Sequence, residues 1–543
     1  MSASAVSART GPTAGGSAGA AAGEAARRRT FAVISHPDAG KSTLTEALAL
    51  HARVIGRAGA VHGKAGRRGT VSDWMDMERD RGISITSAAL QFEYRDAVIN
   101  LLDTPGHADF SEDTYRVLTA VDAAVMLIDA AKGLEAQTMK LFAVCRHRGI
   151  PVVTVVNKWD RPGKDALELM DEVAERTGLT PTPLTWPVGI AGDFRGVLDI
   201  GTGDYRHFTR TAGGATVAPE EVLPAAAAAS REGELWQRAV DETELLAATG
   251  AEHDQDLFLS GITTPVLFAS AVSNFGVGAL LDVLVDRAPA PQGRPDADGT
   301  VRHVDAPFSA FVFKVQSGMD AAHRDRLAFI RICSGVFERG MVVTHATTGR
   351  PFATKYAQQV FGRDRESIDV AYPGDVVGLV NAAALGVGDT LYADRPVTFP
   401  PLTTFAPEHF AVCRGRDTAK HKQFRRGIEQ LDSEGVIQAL RSDRRGDQAP
   451  VLAVVGPMQF EVASHRLEHE FGAPVTLEHL PYTLARRTDA SSAAAVGASR
   501  GAEVLTRADG ELLAAFTDKW ALRALQQRDP DLTLEPLVAA QLD

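Results

Sequence analysis

Thr30-Phe-Ala-Val-Ile-Ser-His-Pro-Asp-Ala-Gly-Lys-Ser-Thr43 decides how this chain is read. Its first part, Thr30–Ile34, is a short apolar run of the kind that forms a buried strand. It then turns through Pro37, Asp38 and Gly40 into a helical stretch, Thr43 to His51. Between a strand and a helix N-terminus, such a loop aims its backbone N–H groups inward, where the helix dipole also favours an anion. The candidate phosphate loop is therefore Ser35, His36, Pro37, Asp38, Ala39, Gly40, Lys41, Ser42 and Thr43. Gly40 lets the backbone approach phosphate, Lys41 reaches the β- and γ-phosphates, and Ser42 offers its hydroxyl to Mg²⁺. Ser35 stands where the common pattern of this loop has glycine.

Outward from that loop, the apolar runs Ala97–Leu102, Ala123–Ile128, Val152–Val156 and Val266–Ala269 alternate with helical patterns such as Thr138–Arg148. Buried strands alternating with helices predict a parallel α/β sheet. Two motifs follow the C-terminal ends of these strands, where open α/β sheets bind ligands. The first is Asp103-Thr104-Pro105-Gly106-His107. Asp103 is placed to hold Mg²⁺ through water, and Gly106 to offer its N–H to a γ-phosphate and pivot when that phosphate leaves. His107 falls where a group that orients water belongs, as a neutral imidazole accepting from water or as an imidazolium facing the transition-state charge. The second motif is Asn157-Lys158-Trp159-Asp160. A carboxylate at Asp160 accepts from guanine N1 and N2 together, whereas adenine offers no such donor pair and leaves the charge unmet. Lys158 packs its stem along the base, and Asn157 braces the loop. Ser270-Ala271-Val272, after another strand, is expected to turn backbone N–H toward the guanine O6. A Gly- and Arg-rich stretch between Ile55 and Ser84 ends in Arg81-Gly-Ile-Ser-Ile-Thr86, where Ser84, or alternatively Thr86, completes the Mg²⁺ shell. These readings predict a GTP/GDP site with Mg²⁺. A kinase acting on a small molecule would share the phosphate loop but not the guanine motif.

The full chain has 543 residues, and at roughly 100–200 residues per domain this predicts about three or four domains. Its net charge of -12 gives no global signal for nucleic acid, although a local basic face can bind phosphate on an acidic protein. Three dispersed cysteines form no disulfide framework or zinc site. No run of about 18 apolar residues predicts a membrane span. Residues 1–29 are rich in Ala, Gly, Ser and Arg, and read as a disordered extension. The nucleotide domain is placed at 30–293, with an Ala/Glu-rich insertion at about 181–259. A Pro-rich linker over Ala288–Gly299 precedes short strand-like runs at 300–395, which predict a β-barrel. After a second Pro-rich link, residues 403–543 mix helix and strand and read as an α+β domain. Within it, Phe424, Ile428 and Leu431 share one helical face. Lys420, His421, Lys422, Arg425, Arg426, Arg441, Arg444 and Arg445 form a basic cluster, either a solvated face or an RNA contact.

In style, His36-Pro-Asp-Ala-Gly-Lys41, Arg81-Gly-Ile-Ser-Ile85 and Asp103-Thr-Pro-Gly-His107 resemble the translational GTPases. More narrowly, Arg29 through Lys41, Ser72-Asp-Trp-Met-Asp-Met-Glu78, Phe110-Ser-Glu-Asp-Thr-Tyr-Arg116 and Asn274-Phe-Gly-Val277 resemble the bacterial peptide chain release factor 3 family. His323-Arg-Asp-Arg326, Ala371-Tyr-Pro-Gly-Asp375 and Phe405-Ala-Pro-Glu408 extend the resemblance into the barrel and beyond it. Ser35 also fits this family; the likeness runs from about Arg28 and thins after about Thr488. The resemblance implies an α/β P-loop GTPase domain, then a translation-factor β-barrel and a C-terminal α+β domain. It implies a cytoplasmic, monomeric, ribosome-dependent GTPase of translation termination. In its GTP form the factor promotes departure of release factors 1 and 2 after peptide release, and ribosomal RNA activates hydrolysis. An elongation-factor-G-like GTPase is the alternative; that class carries a much longer C-terminal half.

Overall fold

The apolar runs become the strands of one sheet in a computed structural model that describes residues 14–53, 88–105, 111–211, 216–317, 326–361, 364–402, 406–446 and 449–537. Its first strands are β1 (Arg28–Ser35), β2 (Ala88–Tyr94), β3 (Ala97–Asp103), β4 (Ala123–Asp129), β5 (Val152–Asn157) and β6 (Thr180–Pro183). An inserted subdomain supplies β7 (Thr185–Val188), β8 (Gly196–Asp199), β9 (Tyr205–Phe208) and β10 (Glu220–Leu223), and the chain then returns as β11 (Thr263–Phe268). The main sheet has the order β2-β3-β1-β4-β5-β11-β6. Only β2 runs antiparallel to its neighbour. In this register Val33 pairs with Asp103, Ser35 with Leu127, and Asp129 with Asn157. The C-terminal ends of five strands therefore meet along one edge.

Two expectations need correction. Residues 14–26 are not a disordered extension but a helix, α1 (Ala14–Ala26). Alanine carries the highest helix propensity, and the small methyls of Ala21 and Ala25 are fully buried. Glu24 anchors the helix by accepting from Arg28 at 2.7 Å and Arg27 at 3.0 Å. The strand that follows starts at Arg28, two residues before the expected boundary. Second, the stretch 181–259 does not begin as an insertion, because β6 pairs with β11 and closes the main sheet. The insertion proper is the antiparallel β10-β9-β8-β7 sheet with helices Ala225–Glu232 and Glu234–Ala248. It packs on the parent domain through Trp159, Trp186, Trp236, Phe268 and Phe275.

Strands within 309–317, 326–361 and 364–392 form an eight-stranded antiparallel sheet wrapped around Val312, Ile330, Ile332, Leu379 and Leu391, the expected barrel. The C-terminal α+β region is built on two sheets. Strands Gln438–Leu440, Val451–Val454, His409–Gly415 and Val475–Leu480 make the first, carrying helices His421–Glu434 and Met458–His469. Phe424, Ile428 and Leu431 face its core. Strands Ala502–Thr506, Leu512–Phe516, Leu484–Thr488 and Glu535–Pro536 make the second, with helices Ala490–Ala498 and Lys519–Arg528. Phe410 and Val451 of the first pack on Ala485, Leu505 and Leu513 of the second.

The three parts are locked together. Asp375, after the barrel's Ala371-Tyr-Pro-Gly turn, accepts from Arg28 Nε at 2.8 Å, Gln91 Nε2 at 2.8 Å and Asn100 Nδ2 at 3.2 Å. Thr30 Oγ1 and Arg331 Nη1 both donate to Gly374 O at 2.8 Å. Gly374 has φ 106°, and a Cβ there would stand 2.6 Å from Pro291. The expected linker is therefore a fixed segment: Arg294 donates to Thr119 O and stacks 4.1 Å from the Phe311 ring centroid. Helix Ser111–Leu118, which follows the Asp103–His107 motif, reaches both other parts. Asp113 pairs with barrel residue Lys314 at 3.5 Å, and Arg116 donates to Glu434 O at 3.1 Å.

Replacing Asp375 with Ala takes the barrel-side carboxylate from the buried Arg28 guanidinium, leaving it only Glu24, and removes an acceptor from Gln91 and Asn100. Breaking a buried ion pair from one side costs about 3–5 kcal/mol. Thermal or denaturant unfolding of D375A should show a clearly lowered midpoint, and an unchanged midpoint would contradict the role given to this carboxylate.

Candidate nucleotide site

The strand β1 delivers residues 36–40 to the N-terminus of α2 (Lys41–His51). Asp38 and Gly40 both take left-handed backbone conformations, φ 66° and 96°. At Gly40 a Cβ would stand 2.6 Å from Asn157 Nδ2, so glycine is required both by its φ and by this close approach. The first N–H groups of α2 have no intrahelical acceptors and face the loop. Lys41 is buried; its Nζ lies 3.3 Å from Asp103 Oδ1 and donates to Thr104 O. Thr104 Oγ1 donates to Val33 O at 2.6 Å, tying the Asp103 segment to β1. Both carboxylate oxygens of buried Asp103 lack a hydrogen-bond partner among the described residues. Orphaned anionic oxygens beside a lysine and a helix N-terminus fit a hydrated divalent cation on a phosphate chain. Ser42 and Asp103 could hold such a cation. Ser35 Oγ donates to His36 O at 3.0 Å. His36 is buried; its Nε2 lies 3.7 Å from Glu135 Oε2, and burial pulls its pKa down.

Asn157 braces this site from the end of β5. Its Nδ2 donates to Ala39 O at 2.8 Å, and its Oδ1 accepts from Ala271 N at 2.9 Å. One amide thus joins the phosphate loop to the Ser270–Ala271 turn. Lys158, at φ 63°, donates to Asp129 Oδ2 at 2.8 Å and to Asp38 O. Its stem thereby spans the cleft between loop and strand end. Trp159 N donates to Ala269 O at 3.2 Å, and the Trp159 ring packs edge-on against Phe268. Asp160 Oδ1 is buried and has no hydrogen-bond partner among the described residues. The Ser270 turn differs from expectation. Ser270 N donates to Phe275 O at 3.0 Å, and Ala271 N donates to Asn157, so these two N–H groups hold the turn.

Asp129 belongs to no motif that the sequence displays. It ends β4 and pairs with Lys158. Burial opposes its ionisation, but hydrogen bonds from Lys158 and Ala131 N outweigh it and hold the carboxyl below its usual range. Its signal is positional: an acid closing an apolar run beside the Asn157 strand. Ser84, Thr86, Gly106 and His107 lie outside the described residues. The basic cluster divides. Lys422, Arg425 and Arg426 are exposed, with Arg425 paired to Glu429 at 3.0 Å, whereas Arg445 is tied to buried Glu503.

The chain resembles known proteins along nearly its whole length. The elongation factor Tu GTP-binding domain family matches residues 26–290. Elongation factor G domain 2 matches 307–394, and the C-terminal domain of the class II release factor RF3 matches 399–526. A peptide chain release factor 3 from Microcystis aeruginosa is 46% identical over 516 residues, covering 94% of this chain and 95% of the relative. Another, from Symbiobacterium thermophilum, is 45% identical over 522 residues, covering 95% and 98%. A solved protein from Thermus thermophilus aligns with TM-score 0.67 and 22% identity, over 85% of this chain and 69% of that one, a likeness of fold.

Asp160→Asn should weaken GTP binding roughly 10- to 100-fold, the loss of charge-assisted bonds contributing about 1.5–3 kcal/mol each. It should improve binding of xanthosine triphosphate, whose extra carbonyl accepts from the new amide. Competition binding with the two nucleotides reads the switch; an unaltered preference would remove Asp160 from base reading.

Proposed function

Since the chain belongs to the peptide chain release factor 3 family and is a GTP-binding GTPase of translation termination, we propose that it is the factor that clears release factors 1 and 2 from the ribosome after peptide release. It acts in the cytoplasm as a monomer, cycling between GTP and GDP. The observation that carries this reading is the coverage. The likeness to release factor 3 spans 94–95% of the chain and includes the C-terminal domain. That C-terminal match is also what weighs against an elongation-factor-G-like role. Among the described residues no helix is long and apolar enough to cross a membrane.

Each residue has a task in this reading. The loop 35–43 wraps the phosphates, with Lys41 neutralising the β- and γ-oxygens. Asn157 holds loop and turn together while Asp160 reads the base. Ser42, Asp103 and Ser84 are the Mg²⁺ set; the ion, when bound, supplies positive charge to the phosphate oxygens. Gly106 senses the γ-phosphate, and His107 orients the attacking water. The helix Ser111–Leu118 follows directly. Its side chains contact both the barrel and the C-terminal domain. A change signalled at Gly106 reaches this helix next along the sequence, and the ribosome reads the resulting shape.

The direct test uses termination complexes that carry labelled release factor 1 or 2 and have already released their peptide. Wild-type protein with GTP should speed loss of the label several-fold, and Lys41→Ala should abolish the effect by losing nucleotide. Ribosome-stimulated GTP hydrolysis without faster release would overturn the recycling role and favour an elongation-factor-G-like one. His107→Ala should bind GTP normally yet slow ribosome-stimulated turnover by roughly 100-fold or more, the usual weight of a group that handles the proton or water. Unchanged single-turnover hydrolysis would exclude it.

A further inference from the structure

Trp520 is 76% exposed, whereas the other tryptophans among the described residues, Trp159, Trp186 and Trp236, are at most 4% exposed. A tryptophan in water presents a large, rigid aromatic face on which another ring can stack. It sits in the first turn of helix Lys519–Arg528, on the second C-terminal sheet. The Arg523 guanidinium lies 5.8 Å from its ring centroid. Arg523 and Lys519, the latter next to Trp520 in the chain, line a groove of about 390 Å³ between this helix, strand Leu484–Thr488 and the Glu535–Pro536 strand; Trp520 is not in that lining and is linked to it through Arg523. Three cations line the groove, Arg486, Lys519 and Arg523, with the amide of Gln526 and an apolar floor that includes Leu522 and Leu534.

Among the described residues no carboxylate lines it. The contrast with its surroundings is sharp. Neighbouring Arg487 is paired with Glu511 and Glu535, and Arg528 with Asp529. Arg486 donates to Ala485 O at 3.0 Å, and none of the three lining cations has a carboxylate within 4.0 Å among the described residues. On a chain of net charge -12, an unpaired cationic groove is a local inversion of sign. A groove of this volume takes a unit of nucleotide size. Its chemistry is that of a single-stranded nucleic acid site, in which cations follow the backbone and an exposed aromatic face stacks a base.

We propose that this groove binds single-stranded RNA, with Trp520 stacking a base, Arg486, Lys519 and Arg523 holding phosphates, and Gln526 facing a base edge. It shares no residue with the nucleotide site, so its failure would leave the GTPase reading untouched.

The test titrates the full-length protein into a fluorescently labelled 12-nucleotide RNA of mixed sequence and follows anisotropy at several salt concentrations. Wild type should bind with an affinity that falls as salt rises. Trp520→Ala should weaken binding roughly five- to 100-fold, the range for one stacked base, while Trp520→Phe retains most of it. Arg486→Ala with Arg523→Ala should flatten the log–log salt slope by about 1.4. Unaltered GTP binding in each variant verifies its folding. No binding by wild type, or an unchanged affinity in Trp520→Ala, would overturn the proposal. So would a poly-glutamate peptide that binds more tightly than RNA and is lost on the same substitutions, since the occupant would then be an acidic protein.

Discussion

One side-chain amide fixes the geometry on which the nucleotide site depends. Asn157 gives its N–H to Ala39 O and takes the N–H of Ala271. Each such bond contributes only about 1 kcal/mol net, but a buried group left without its partner costs about 1–3 kcal/mol. The brace therefore acts mainly by making every other arrangement of the two loops unfavourable. It also explains why Gly40 cannot carry a side chain, since the amide occupies the space where a Cβ would stand. Lys158 and Asp129 repeat the device one strand over, closing the cleft with a charged pair.

Beyond the site, the same principle operates between domains. Asp375 gathers three donors from the α/β sheet, and Gly374 O gathers two more, one from each side of the junction. These polar contacts are directional and set how the barrel sits. The apolar contacts beneath them supply the area: Phe311, Phe313, Phe329 and Phe399 of the barrel side belong to the same continuous core as Ala32, Leu102, Met126 and Phe142 of the sheet. Helix Ser111–Leu118 lies at this junction and extends the linkage to the C-terminal part through Arg116. At Gly435 a Cβ would collide with that guanidinium, so the contact also dictates the residue after Glu434.

What can be read from the sequence follows from how local each signal is. The phosphate loop, Asp103 and Asn157–Asp160 are contiguous motifs at strand ends, so their residues declare their chemistry without the fold. The parallel sheet is legible because its strands are long apolar runs. Asp129 is not, because its importance lies in a pairing with Lys158 that only the sheet register creates. The helix α1 escapes a reading by composition because alanine gives conflicting cues: little apolar area to bury, yet the strongest preference for helix. The number of sheets in the C-terminal region has no sequence signal, because strands as short as Gln438–Leu440 carry no periodicity. The engaged N–H groups at Ser270 and Ala271 depend on Asn157 and Phe275, which are distant or looped partners that spacing does not reveal.

The continuous core between sheet and barrel bears on how the chain can be taken apart. Three matching segments suggest three exchangeable parts, yet the seam between the first two is oily rather than wet. A fragment ending near Ala288 would carry away its share of that core and present Leu102, Val117 and Phe142 to water beside an Arg28 that has lost Asp375. Such a fragment is a cut face, not a module. Along this seam the boundary between matching segments is not a boundary of packing, because one core runs across it.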